Sequence, residues 1–176
     1  MRSLTIFTTG GTIEKTYNEA SGELENSRSV VERMLARLRL EDARVRVVSL
    51  LSKDSLHITE PERAMIVERV AQEAAALPPF VPGQRSGIVV LHGTDTLSLT
   101  GEAILARLSA GGGRPRVPIV LTGAMRPFEM RRSESILATA LMPPGVYACA
   151  HGRVLAFPGV VKDRARGTFV HPEAGA

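Results

Sequence analysis

Apolar positions along the chain fall into short runs that alternate with stretches of helical periodicity. Strand-like runs and helical patterns alternate in the order 4–8 (strand), 30–38 (helix), 45–51 (strand), 64–77 (helix), 87–91 (strand), 97–108 (helix) and 117–121 (strand). Such alternation is typical of βαβ units, in which helices connect the parallel strands of a sheet. We therefore predict a doubly wound α/β fold, with a mostly parallel sheet, helices on both faces, and a single domain over residues 1–176.

Local signals mark the ends of one predicted helix. Thr59 and Glu62, with Pro61 between them, form the capping-box pattern that begins a helix. The Pro-Pro pair at residues 78–79 ends it, because proline cannot continue a helix. The glycine-rich stretch 111–115 predicts a flexible surface connection between a helix and a strand, not a domain boundary.

Charge and aromatic content argue against a nucleic-acid partner. The formal net charge is +4, but the basic residues are interspersed with acidic ones. The chain has no tryptophan, and Tyr17 and Tyr147 are its two tyrosines. Proteins that bind single strands stack bases on aromatic side chains, which are scarce here. An enzyme is therefore the better interpretation.

Cysteine and histidine usage excludes several other classes. The lone Cys149 allows neither an intrachain disulfide nor a multi-cysteine metal site. The amino terminus lacks the pattern of a signal peptide, and no run reaches membrane-spanning length, so we expect a cytoplasmic protein with no membrane partner. We also predict no metal site, since the spacing of the four histidines is not that of a ligand set: His57, His92, His151 and His171.

Three predicted strands run directly into turns that are rich in glycine and hydroxyl groups. These turns occupy residues 9–12, 92–96 and 122–127. In open parallel sheets, ligands bind outside the carboxyl ends of the strands. The three turns should therefore converge on one pocket.

Thr12 is the candidate nucleophile of that pocket. Gly10 and Gly11 let the backbone turn sharply and approach a ligand closely, and the Thr12 hydroxyl would then face the crevice. An alcohol becomes a useful nucleophile only when a neighbouring group activates it. A simple strand-to-loop turn is the alternative interpretation of this short motif.

Thr94 and Asp95 are the candidate partners of Thr12. Thr94 would offer a second hydroxyl, and Asp95 would hold a lysine or a substrate ammonium. Alternatively, Thr94 or Thr96 merely caps the following helix. Lys162 is one of three lysines; it is either a solvated surface charge or, if buried against this pair, a functional group.

Taken together, these motifs resemble the L-asparaginase family. Residues 9–13, with the sequence TGGTI, resemble its first signature, and residues 92–96, with HGTDT, resemble its second. Residues 53–59 lie where the family has its substrate-carboxylate loop, and residues 122–127 resemble a further strand end. The resemblance covers residues 4–169 and matches the family's amino-terminal domain only.

The resemblance implies a role for each matching residue. Thr12 would be the acyl-accepting nucleophile, supported by Thr94, Asp95 and Lys162. The substrate would be bound by Gly11, by Ser55 at its α-carboxylate, and by Thr94 and Asp95, with Asp95 at the α-ammonium. The implied reaction is hydrolysis of the asparagine side-chain amide through a threonine ester, with no metal or organic cofactor.

Several positions depart from the family's pattern. The family supplies a tyrosine from the loop after Thr12, and Leu24 stands in that place here. Tyr17 is the tyrosine of this loop and would replace it; Glu14 or a chain of waters is the alternative. Leu56 and His57 replace a polar contact and an acid. The stretch 128–144 is short for its helix.

Other functions compete with asparagine hydrolysis. Glutamine or another ω-amide fits the same chemistry. A non-catalytic amino-acid-binding or regulatory module would explain the altered loop. A phosphate cradle would use the glycine-rich turn, but the lysine of a P-loop is absent. The resemblance also implies a homodimer or higher homo-oligomer.

Overall fold

The computed structural model describes residues 2–14, 16–18, 22–25, 31, 35, 43–79, 85–123 and 142–172. Within these ranges the strands are β1 (Arg2–Gly10), β2 (Thr16–Asn18), β3 (Glu23–Glu25), β4 (Ala43–Lys53), β5 (Arg85–Leu91), β6 (Pro118–Thr122), β7 (Gly145–Ala150), β8 (Arg153–Ala156), β9 (Val161–Asp163) and β10 (Thr168–Val170). The α-helices are α1 (Glu60–Ala76) and α2 (Leu97–Ser109), and short 3-10 helices cover Thr12–Glu14, Ser55–His57 and Ala110–Gly112.

Six strands form one sheet in the order β4-β1-β5-β6-β7-β8. Every neighbouring pair is parallel except β7 and β8. The chain runs from β1 to β4 on one side and then crosses to β5 on the other, so the strand order reverses at β1. A crevice at such a point is where open α/β sheets bind ligands. The predicted mostly parallel α/β fold is confirmed.

Successive side chains of β1 point to opposite faces of the sheet, and each face is covered. Phe7 belongs to the larger core cluster, which includes buried residues of α1 and α2. Ile6 packs instead with Val31 and Leu35, which are both helical and lie four residues apart. Helical residues therefore cover both faces, as the sequence predicts.

Helix α1 begins at the predicted capping box. The Glu62 N–H donates to Thr59 Oγ1 at 3.4 Å, while the Thr59 N–H donates to Glu62 Oε2 at 2.9 Å. The helix ends at Ala76, just before the Pro-Pro pair. No helix among the described residues is long and apolar enough to cross a membrane.

The structure tests the prediction for the glycine-rich connection, but only the end of the shortened stretch 128–144 is described. Residues 111–113 are exposed and lead from the end of α2 towards β6, which confirms the surface connection. In the stretch 128–144, which the sequence predicts to be shortened, residues 128–141 lie outside the described residues. Where the described chain resumes, the Tyr147 hydroxyl donates to the Pro143 carbonyl at 3.1 Å.

Candidate active site

The turn at the carboxyl end of β1 depends on two glycines. Gly10 and Gly11 have φ angles of 95° and 83°, which glycine adopts at little cost. A Cβ added to Gly11 would lie 2.7 Å from the Cα of Gly93, closer than two carbon atoms can approach. The backbone of this turn therefore packs directly on the turn after β5. Thr12 follows, partly exposed, as the first residue of a 3-10 helix.

Glu14 stabilises this turn through two hydrogen bonds. Its buried carboxylate accepts the Gly10 N–H at 3.0 Å, and its own N–H donates to the Gly11 carbonyl at 3.1 Å. A hydrogen bond to a charged group is roughly twice as strong as one between neutral groups. The side chain and the backbone of Glu14 thus fix both glycines that precede Thr12.

The loop after β4 brings Ser55 to the same place. The Gly11 N–H donates to the Lys53 carbonyl at 2.9 Å, which ties the ends of β1 and β4 together. Ser55 is 1% exposed, and a Cβ added to Gly93 would lie 2.5 Å from its Oγ. Among the residues that the structure describes, Ser55 Oγ has no hydrogen-bond partner. A buried, unpaired hydroxyl of this kind suits a ligand group.

Lys162 reaches the turn after β5 from a distant hairpin. Its Nζ donates to Thr94 Oγ1 and to Asp95 Oδ1, both at 2.9 Å. In the β9–β10 hairpin Lys162 pairs with Phe169, whose buried ring belongs to the core. The hairpin is thereby anchored, and the lysine side chain is only 14% exposed. The alternative of a solvated surface charge is wrong.

Arg164 also contacts Asp95, and sequence reasoning missed it. Its Nη1 lies 3.1 Å from Asp95 Oδ1, the same oxygen that Lys162 contacts. Lys162 lies in β9, whereas Arg164 lies in the turn that follows this strand. Both positions were visible in the sequence, but nothing there indicated that both side chains would contact Asp95.

Thr96 connects two turns of the site. It occupies the cap position of α2 without making a side-chain cap, and its Oγ1 donates instead to the Ser55 carbonyl at 3.0 Å. Thr94 Oγ1 is engaged by Lys162. The alternative in which Thr94 or Thr96 merely caps the helix is therefore wrong.

A buried network of hydrogen-bonded polar side chains, formed by Arg63, Thr100 and His92, contacts the turn after β5. His92 Nδ1 lies 2.8 Å from the Gly93 carbonyl, and its Nε2 lies 2.9 Å from Thr100 Oγ1. Arg63 Nη1 donates to the same Thr100 oxygen at 2.6 Å. The Thr100 hydroxyl can then donate to His92 Nε2, which assigns the proton of the neutral imidazole to Nδ1. Sequence reasoning missed this network.

His92 stays neutral within this network. Its pKa is lowered to about 4, mainly by burial; the hydrogen bond to Gly93 raises the pKa, and the positive charge of Arg63 lowers it. A neutral imidazole with Nδ1–H donates to the Gly93 carbonyl and so orients the peptide that leads to Thr94. The histidine thus belongs to the scaffold of the turn.

Other predicted site residues fall partly outside the described residues. In the β2–β3 pair Tyr17 lies opposite Leu24, but the side chains of both lie outside the described part of the chain. In the turn 122–127, Gly123 packs against the His92 carbonyl, whereas residues 124–127 lie outside the described residues.

The converging turns have the parts of an acyl-transfer site. Thr12 offers a hydroxyl on a turn fixed by Glu14. Thr94 offers a second hydroxyl, polarised by the Lys162 ammonium. A nucleophilic alcohol, a polarised hydroxyl and a lysine–carboxylate pair are recurrent parts of enzymes that cleave acyl bonds through a covalent intermediate.

Comparison with known proteins agrees with this geometry. A model of the asparaginase N-terminal domain matches residues 3–171. An L-asparaginase from Thermococcus kodakarensis is 29% identical over 171 residues, which cover 93% of this chain and 48% of the relative. One component of the glutamyl-tRNA(Gln) amidotransferase from Pyrobaculum aerophilum is 30% identical over 132 residues, which cover 75% of this chain and 29% of the relative.

Comparison with solved structures also finds similarity to L-asparaginases. The thermostable L-asparaginase from Thermococcus kodakarensis superposes with a TM-score of 0.70 at 26% identity, covering 91% of this chain and 47% of that one. A probable cytoplasmic L-asparaginase from Campylobacter jejuni shares the fold, with a TM-score of 0.72 at 22% identity and coverage of 99% and 55%. The chain thus spans about half the length of the L-asparaginases that it matches. With the family model covering nearly all of its length, the chain belongs to the asparaginase N-terminal domain family.

Proposed function

We propose that this chain is an amidohydrolase that converts L-asparagine into L-aspartate and ammonia through a threonine ester. The observation that carries the proposal is the contact of Lys162 Nζ with Thr94 Oγ1 and Asp95 Oδ1, both at 2.9 Å, beside the turn that presents Thr12. Membership of the asparaginase family and the L-asparaginase relative support the same reaction. The chain would act without a metal or an organic cofactor.

In the first half-reaction Thr12 is the nucleophile. Its Oγ1 forms a bond to the side-chain amide carbon, and the carbon–nitrogen bond breaks. Thr94 donates its proton to the leaving nitrogen, because the Lys162 ammonium polarises its hydroxyl. The proton that Thr12 gives up replaces it on Thr94, so that neutral ammonia leaves and both side chains end without a charge. The Thr12 N–H and the backbone N–H groups of the Gly93–Thr94 turn are suited to stabilise the oxyanion, an effect commonly worth about 3 kcal/mol for one donor. The Gly11 N–H is engaged by the Lys53 carbonyl.

In the second half-reaction water attacks the ester carbon, releases aspartate and restores the Thr12 hydroxyl. Ser55 binds the α-carboxylate with its buried Oγ, which has no partner among the described residues. Asp95 faces the α-ammonium. Tyr17 stands in for the loop tyrosine of the family, and this proposal is tested by the Tyr17→Phe variant, which should lower kcat while leaving binding intact.

Ammonia release from asparagine, measured with Thr12 variants, tests the proposed function. Thr12→Val removes the hydroxyl and keeps the shape, so it should abolish release. Thr12→Ser keeps the hydroxyl and should retain measurable activity. Mass spectrometry of acid-quenched enzyme should find the acyl adduct on the peptide that contains Thr12. Unchanged release from Thr12→Val would exclude this mechanism.

Glutamine is the second candidate substrate. It is favoured by the relative named as a component of a glutamyl-tRNA(Gln) amidotransferase. A side chain longer by one methylene changes specificity by only about 10- to 200-fold, so both amides should be assayed together. If neither amide releases ammonia while calorimetry detects aspartate binding, the chain is a non-catalytic binding module.

We further propose that residues 1–176 form one domain, that the chain acts in the cytoplasm on a small-molecule amide, and that it assembles as a homodimer. Assembly would cover the crevice at the ends of β1 and β5. Light scattering coupled to gel filtration measures the mass directly. A monomer at micromolar concentration would contradict the dimer and leave the active-site proposal intact.

A further inference from the structure

Helix α2 carries two neighbouring residues, Gly101 and Glu102, that contact the segment leading to Lys162. This segment comprises residues 157–160 and connects β8 with β9, the strand of Lys162. The turn with the partners of Lys162 comes directly before α2, and Thr100 ties that turn to the helix. Both sides of the Lys162 contact therefore depend on one helix.

Gly101 lets an aromatic ring pack directly on the backbone of α2. A Cβ added to Gly101 would lie 2.7 Å from Cε1 of Phe157 and closer still to two other atoms of that ring. Phe157 is buried, and its N–H donates to the Val146 carbonyl at 3.0 Å. A glycine within a helix costs about 0.5–1 kcal/mol relative to alanine, so its presence here indicates a packing requirement.

Glu102 fixes the backbone further along the same segment. Its Oε1 accepts the Gly159 N–H at 2.6 Å, and a hydrogen bond to an ionised carboxylate is stronger than one to a neutral acceptor. Val160 follows and is buried in the larger core. Gly159 lies only three residues before Lys162, so a shift of this backbone is transmitted to the lysine.

Resting on the proposed amidohydrolase function, we propose that Gly101 and Glu102 are positioning residues for Lys162. The amino-terminal end of α2 fixes the turn with Thr94, and the next turn of the helix holds residues 157–160. One rigid element thereby sets the distance between Lys162 Nζ and Thr94 Oγ1, which is 2.9 Å. Both residues act through the backbone of 157–160 and not through the substrate.

Two substitutions of Glu102 test this role. Glu102→Ala removes the acceptor, whereas Glu102→Gln keeps a side-chain oxygen that can accept the Gly159 N–H. We expect kcat for ammonia release from asparagine to fall about 10- to 100-fold in Glu102→Ala, as for a catalytic group misplaced by about 1 Å, while KM stays within about twofold. Glu102→Gln should recover most of this loss.

Glu68→Ala is the matched control. It removes a carboxylate from α1 that pairs with Arg107 at the surface and has no contact with residues 157–160. Exposed polar contacts contribute little to stability, so Glu68→Ala and Glu102→Ala should both unfold at the temperature of the wild type. Only Glu102→Ala should lower kcat.

Gly101→Ala tests the second contact. Alanine favours the helix, so any loss of kcat in this variant comes from the collision of the new methyl group with Phe157. We expect kcat to fall with KM unchanged, as in Glu102→Ala. If Gly101→Ala does not fold, the two Glu102 variants still decide the inference.

Chemical labelling of Lys162 provides a measurement that needs no catalysis. The chain has three lysines; Lys162 is 14% exposed, and Lys53, the internal reference, is 45% exposed. With a limiting amount of acetic anhydride, mass spectrometry gives the ratio of acetylation at Lys162 to that at Lys53. This ratio should rise several-fold in Glu102→Ala, because a lysine released from its partners is more accessible, and it should keep the wild-type value in Glu102→Gln.

The outcomes separate this inference from the proposed function. Unchanged kcat in Glu102→Ala, or an equal loss in Glu102→Gln, overturns the positioning role while the hydrolase remains. If the wild type releases no ammonia from any amide, the proposed function fails, and the labelling ratio decides the inference. A rise in Glu102→Ala that is absent from Glu102→Gln and Glu68→Ala supports it; an unchanged ratio overturns it.

Discussion

Lys162 and Thr94 lie 68 residues apart in the chain, yet Lys162 Nζ donates to Thr94 Oγ1 at 2.9 Å. The lysine comes from a short hairpin, and the threonine comes from the turn that follows a central strand. Neither local segment specifies the contact. It forms because Phe169, opposite Lys162 in the hairpin, is buried in the core and fixes where the hairpin lies.

Replacing Lys162 with methionine should remove activity and preserve the fold. Methionine keeps the aliphatic stem but cannot polarise Thr94, so we expect kcat for ammonia release to fall by about 10²- to 10⁴-fold, as for the loss of a general acid. Steady-state kinetics and thermal unfolding measure the two properties. Arg107→Gln is the control: it breaks an exposed ion pair with Glu68 and should leave kcat unchanged. Equal kcat in Lys162→Met and wild type would remove Lys162 from the mechanism.

The close approach of two turns can be tested at a glycine. Gly11 has a φ of 83°, and a Cβ there would lie 2.7 Å from Gly93 Cα; Gly112 has a φ of 80°, with nothing within 4 Å of an added Cβ. Gly112→Ala therefore carries only the cost of the left-handed backbone, about 1–2 kcal/mol. Gly11→Ala adds the collision between backbones. Urea denaturation should show a larger loss for Gly11→Ala, together with lost activity, and equal losses would contradict the packing described.

The fold and the turns of the candidate site were predictable because their signals are local. Apolar periodicity indicated β1, β4, β5, β6 and the two α-helices, and the capping box at Thr59 and Glu62 indicated the start of α1. The turn at Gly10 and Gly11 is visible in the sequence because glycine tolerates positive φ. Lys162 entered the site only through a family resemblance, since the sequence by itself left it as either a surface charge or a functional group.

The buried network of Arg63, Thr100 and His92 could not be predicted from the sequence, for a different reason. Arg63 and Thr100 lie on two helices, and each is a residue type that is usually exposed. Their burial against His92 depends on how α1 and α2 pack on the sheet, a tertiary property without a short-range pattern. Arg164 was missed similarly, since its partner Asp95 comes from a remote part of the chain.

Thr100 should stabilise the protein through its hydroxyl. Thr100→Val keeps the shape, but it removes the hydroxyl that Arg63 Nη1 and His92 Nε2 both contact. We expect the free energy of unfolding to fall by about 1–3 kcal/mol. Thr100→Ser restores the hydroxyl and should recover most of that loss despite the missing methyl group. Urea denaturation of both variants measures the difference, and equal stability of the two would show that the hydroxyl contributes nothing.

Acid should weaken the fold through His92. Its pKa in the folded protein is about 4, lowered from 6.5 mainly by burial. The unfolded chain therefore binds a proton at a higher pH than the folded chain does. By linkage, the contribution of the neutral imidazole is fully present above about pH 6.5 and decreases as the pH falls towards 4.

The size of this effect can be measured by urea denaturation at several pH values. Because one pKa unit corresponds to about 1.4 kcal/mol, His92 should account for a loss of about 3 kcal/mol in the free energy of unfolding between pH 6.5 and pH 4. In His92→Gln, which carries no titrating group at this position, that part of the pH dependence should disappear. Replacement of the exposed His171 with glutamine is the control and should leave the wild-type pH dependence in place. A wild-type slope that persists in His92→Gln would assign the acid sensitivity to other groups and leave His92 without this role.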